Sequence, residues 1–85
     1  MASIYSEEYQ IVISALKKAR KAKGITQAQL SSALGRPQSF IAKVENGERR
    51  LDIVEFIHLA RLLALDPYPV LAKVGARIAP LESQL

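Results

Sequence analysis

The chain has no cysteine and no tryptophan, a single histidine, and only three tyrosines and two phenylalanines. Without thiols it can build neither a disulfide framework nor a thiolate metal site. The lone His58 falls at helical spacing and reads as a surface or boundary residue, and no second imidazole exists to complete a metal set or a nucleophile and base relay. No apolar run approaches the roughly 20 residues needed to span a bilayer, and the opening MASIYSEEYQ lacks the basic and apolar segments of a secretory signal. Phosphate-binding glycine loops, internal repeats, low-complexity tracts and strand-like alternation are also missing. These absences describe a soluble, cytoplasmic, helical chain with no cofactor and no metal, and they count against an enzyme.

What is present is a short basic chain rich in apolar residues. Its 85 residues are 49% apolar, enough for one modest core, so residues 1–85 are expected to form one domain. The formal charge of +4 favours a polyanionic partner.

The stretch from Thr26 to Gly47 organises the rest. Thr26 is suited to cap a helix, with Gln29 placed to close a capping box and Ile25 and Leu30 spaced as a hydrophobic staple. That helix runs from Gln27 to Leu34, stops at Gly35, and gives way to a second helix from about Pro37 to Asn46, ended by Gly47. On a wheel of about 3.6 residues per turn, Ile41 and Val44 fall on one side of the second helix, and Ser39, Ala42, Lys43 and Asn46 on the other. An outer face of small and amide side chains lets a duplex approach closely. Gln can pair with adenine in the major groove, Ser can reach several base edges, and an Ala methyl can meet a thymine methyl. An ordinary solvated face would look much the same on the wheel.

The flanking segments supply three more helices. Ser6 caps the first, with Glu7 and Glu8 in its opening turn, an inner stripe of Tyr9, Val12, Leu16 and Ala19, basic residues near its end, and a stop at Gly24. Asp52 and Glu55 form a capping box for the fourth, whose inner stripe is Ile53, Phe56, Ile57, Ala60 and Leu63, with a break near Ala64. Asp66 and Pro67 open the fifth, Pro69 threatens to delay it, and Gly75 is expected to end it. The fold class is therefore all-α, a compact five-helix bundle.

From Leu16 to Val74, the phrases GITQAQLSSALG, PQSFIAKVENGERRLDI and LARLLALDP resemble the XRE family, the Cro and phage-repressor type of DNA-binding domain. The resemblance implies roles for particular residues. Gln38, Ser39 and Lys43 match base-reading positions, with Ala42 and Phe40 beside them, and the long stem of Lys43 could alternatively reach a phosphate. Phe40 is bulkier than usual and is either a core extension or an apolar contact to a thymine methyl. Gln27, Asn46, Arg49 and Arg50 match backbone-gripping positions. Arg36 departs from the family's usual apolar residue and could turn outward to DNA, while Pro37 replaces a frequent Ser or Thr cap. Arg20 and Glu45 match a pair that forms a structural salt bridge.

The function so implied is a sequence-specific transcriptional regulator, a repressor, that binds an inverted repeat in double-stranded DNA as a homodimer. Half-sites would lie roughly 34 Å apart. Residues 66–85 would supply the partner contact through Leu71, Val74, Ile78 and Leu81, although the same side chains could simply close the core. Two other readings stand beside it: an antitoxin-like module that binds a protein through its C-terminal tail, and a restriction-modification controller that activates as well as represses.

Overall fold

The computed structural model describes residues 6–78, and the tail position Leu81 lies outside them. The described residues form α1 (Glu7–Ala22), α2 (Gln27–Ala33), α3 (Phe40–Glu45), α4 (Ile53–Leu62) and α5 (Pro67–Arg77), with no strand among them. The caps expected from sequence are in place. Ser6 accepts from Tyr9 N–H, and both Thr26 with Gln29 and Asp52 with Glu55 make reciprocal capping boxes.

Four helices stop by one device. The N–H groups of the two residues after each cap return to carbonyls in the last turn: Gly24 to Lys21 and Ile25 to Arg20, Gly35 to Ser32 and Arg36 to Ser31, Gly47 to Val44 and Glu48 to Lys43, Ala64 to Arg61 and Leu65 to Ala60. The motif needs a left-handed residue. Gly35 meets that need at φ 73°, whereas Ala64 does so at φ 51° despite its Cβ.

The core is assembled from all five helices: Tyr9, Ile13 and Leu16 of α1, Leu30 of α2, Phe40, Ile41 and Val44 of α3, Phe56 and Leu59 of α4 with Leu63 at its cap, and Val70 of α5. The inner stripe of α1 is therefore Tyr9, Ile13, Leu16 and Arg20, while Val12 and Ala19 are half-buried at its edge. On α4 the expected inner residue Ile53 is 61% exposed, and Leu59 is buried in its place. Phe56 and Glu55 of the same first turn are buried, while Ile53 lies on the opposite side, on the rim of a shallow hollow shared with Tyr9 and Leu71.

Two boundaries also differ from expectation. The fifth helix is not delayed by Pro69, because Pro67 and Pro69 both stand in the first turn, where backbone donors have no intrahelical acceptor to lose. It also passes Gly75, which keeps a negative φ, and ends at Arg77. The third helix starts at Phe40 rather than near Pro37. The Ile41 N–H, which would bond the Pro37 carbonyl in a longer helix, goes to the Ser31 hydroxyl at 3.0 Å, and Pro37 accepts instead from Phe40 at 2.9 Å. The segment before Phe40 is consequently a turn.

Candidate nucleic-acid interface

The α2–turn–α3 unit is fastened from within by Ser31, which is fully buried on the face of α2 that meets α3. Its hydroxyl donates to the Gln27 carbonyl at 2.9 Å and accepts from Ile41 N–H at 3.0 Å. One oxygen thereby satisfies a first-turn donor of a helix whose cap residue, Ser39, makes no side-chain cap bond. Sequence reasoning missed Ser31. The available clue was a small polar residue one helical turn after Gln27 on an otherwise apolar face.

A second fastening lies at the other end of α3. Arg20 Nε and Nη2 donate to the two Glu45 oxygens at 2.8 and 3.0 Å, Arg20 Nη1 donates to the Ile25 carbonyl at 2.8 Å, and Gln27 Nε2 donates to Glu45 Oε1 at 2.8 Å. The paired side chains are 9% and 5% exposed, so the salt bridge expected between Arg20 and Glu45 is a buried one. Burial alone would push the Glu45 carboxyl up. The hydrogen bonds from Arg20 and Gln27, together with the nearby positive charge, outweigh it and hold the group below its ordinary range. Three helices thus meet on one carboxylate, and Gln27 retains a second amide hydrogen.

With both ends held, α3 and the turn before it present small and amide side chains and one cation outward. Gln38 and Ser39, in the turn before the helix, are exposed, as are Lys43 and Asn46, and Ala42 is half-buried. Gln38, Ser39 and Lys43 form no side-chain hydrogen bond or ion pair with any described residue.

Around this surface stand the arginines. Arg36 Nη2 donates to Glu55 Oε2 at 2.7 Å, and Arg49 donates to both Glu55 oxygens at 2.8 and 2.9 Å. The guanidinium carbons of Arg36 and Arg49 each lie 4.9 Å from the centroid of the Phe40 ring, within cation–π range. Hydrogen bonding from Arg49 outweighs burial and holds the Glu55 carboxyl below its usual range, and the same bond raises Arg49. Arg50 rests over Tyr9 at 4.9 Å, and the Tyr9 hydroxyl accepts from Leu51 N–H at 2.9 Å, which ties the loop after α3 to α1.

One open alternative is decided here and one expectation changes. Phe40 is a core residue, buried to 6% and covered by the arginines, so its ring is not offered to a thymine methyl. Arg36 does not project freely outward but leans back on Glu55 with 40% of its side chain exposed. The part played by Glu55 was hidden in the sequence behind its capping-box role, which is also present.

On α5, Leu71 is exposed and Val74 is half-buried, and Ile78 at its C-cap is exposed. His58 is exposed, and no cluster among the described residues could hold a metal ion. No helix among the described residues is long and apolar enough to cross a membrane.

Two helices fastened to each other, with an open polar surface at the second and the turn before it and arginines beside that surface, define the DNA-binding helix-turn-helix class. Residues 16–69 match the helix-turn-helix family. The chain is 49% identical to an XRE-family like protein from Pseudomonas syringae pv. tomato str. DC3000, with a TM-score of 0.73 over 85% of this chain and 88% of that one. It is 30% identical to the restriction-modification controller protein C.AhdI from Aeromonas hydrophila, with a TM-score of 0.62 over 71% and 91% of the two chains. The wild-type restriction-modification controller protein C.Esp1396I, 22% identical, shares the fold with a TM-score of 0.69 over 84% and 93%. No curated protein matches the chain. The chain belongs to the XRE family of helix-turn-helix proteins and is a DNA-binding transcriptional regulator, not an enzyme.

Proposed function

We propose that the chain represses transcription by binding an inverted repeat in the major groove as a homodimer. Gln38, Ser39 and Lys43 read bases, with the Ala42 methyl beside them. Arg36, Arg49, Arg50, Asn46 and the second amide hydrogen of Gln27 hold phosphates, which supply affinity but little sequence preference. The observation that carries this reading is the open surface of Gln38, Ser39 and Lys43 beside the anchored arginines. One such surface reaches only a few base pairs, so a two-fold pair of chains is needed for a full site. The exposed Leu71 and Ile78, with Val74, support α5 as the pairing surface.

Selection of bound sequences from random duplexes, with the mass of the complex measured alongside, tests site, symmetry and stoichiometry together. On the selected site, Gln38→Ala weakens specific binding more than binding to random DNA, whereas Arg50→Ala weakens both about equally and lowers the salt dependence. Equal losses on both duplexes in the Gln38 variant would refute base reading at that position. The 30% identity to a restriction-modification controller favours a second reading, a regulator that also activates. Promoter assays with the site at varied distances separate the two.

A further inference from the structure

Two arginines that flank α3 in sequence converge on one carboxylate. Arg36 comes from the turn before the helix and Arg49 from the loop after it, and both bond Glu55, whose side chain is only 6% exposed. Neither neutrality nor capping explains the pair. One guanidinium would balance the charge, and a glutamine at the same place could close the capping box with Asp52.

Counted over these three groups alone, two cations on one carboxylate leave one positive unit, on side chains that are 40% and 38% exposed. Each guanidinium has five N–H donors, and Arg36 spends one of them on Glu55. Both also rest on the ring of Phe40, the first residue of α3 and next in sequence to the exposed Gln38 and Ser39. Two long side chains are thereby held at one spot, with donors to spare, beside the surface that would meet bases.

We propose that Glu55 is a positioning residue that pins Arg36 and Arg49 on the Phe40 ring as a paired-guanidinium seat for one DNA backbone phosphate. The proposal rests on the DNA-binding reading above and deepens it by assigning an acidic, non-contacting residue to affinity. The alternative is that Glu55 merely joins α4 to the preceding loop. The two differ in sign. Loss of an acidic charge strengthens binding to a polyanion if charge alone matters, but weakens it if the guanidinium geometry matters.

The experiment measures binding of the full chain to a random-sequence duplex of about two helical turns, ~20 base pairs, by fluorescence anisotropy across a salt series. Glu55→Gln keeps size and capping capacity while removing the anchor. It is expected to bind about tenfold more weakly at low salt, with the salt slope shallower by about one, at a temperature where circular dichroism shows it folded. Arg49→Lys keeps the charge but loses the planar fork, and it is expected to weaken binding in the same direction. Should Glu55→Gln not fold, Glu55→Asp decides the matter: it keeps the charge but cannot reach both guanidinium groups, so weaker binding supports the positioning role and unchanged binding overturns it.

Equal or tighter binding by Glu55→Gln overturns the positioning role and leaves the DNA-binding reading intact, as does unchanged binding by Arg49→Lys. Failure of the wild-type chain to bind any duplex at low ionic strength overturns both.

Discussion

Replacing Glu45 by Gln is the sharpest test of how α3 is held. The change preserves shape but leaves the Arg20 guanidinium, 9% exposed, without its counter-charge and sets an amide against the Gln27 amide. Removing one member of a buried ion pair costs about 3–5 kcal/mol. An 85-residue domain has a total stability of roughly 4–13 kcal/mol, so the loss consumes a large part of it. At about 4–8 °C per kcal/mol, a loss near 3 kcal/mol lowers Tm by roughly 12–24 °C.

Thermal melts followed by circular dichroism over a pH series measure both the size and the pH dependence of the effect. Because the native Glu45 pKa is depressed, its contribution is complete above the unfolded carboxyl value, about 4.3, and is lost as pH falls through that value to the native one. The gap between wild type and variant should therefore stay constant above about pH 5 and close in acid. The double replacement of Arg20 by Met and Glu45 by Leu should recover much of the loss, since an apolar pair avoids the stranded charge. A loss at neutral pH below about 1 kcal/mol, or a gap that ignores pH, would refute the reasoning.

Two further stability changes follow from the backbone. Ser31→Ala strands the Ile41 N–H at a site with no solvent exposure, and denaturant melts should show a loss of about 1–3 kcal/mol. Ala64→Gly relieves a left-handed alanine at the end of α4, and the same melts should show stabilisation of up to about 1 kcal/mol, the strain relief being partly offset by unfolded-state entropy.

Helix existence, order and capping were legible because each depends on residues within one turn of each other, as with Thr26 and Gln29 or Asp52 and Glu55. What escaped depended on partners far apart along the chain. The start of α3 was misplaced because the competing acceptor for Ile41 N–H sits on α2, and the exposure of Ile53 depends on where the core ends rather than on helical spacing. At the candidate site, the outward setting of Gln38, Ser39 and Lys43 could be read from the wheel and the resemblance together. The anchoring of Arg36 and Arg49 could not, since no local pattern brings the turn, the loop and α4 to a single carboxylate.

The independence of Gln38, Ser39 and Lys43 from the bonds that fasten α3 has a consequence for how the molecule can change. On the base-reading role proposed above, substitutions there would alter the preference for one duplex over another while leaving the balance between folded and unfolded chain nearly untouched. A scaffold so divided would then be open to retargeting by single replacements, without passing through unstable intermediates.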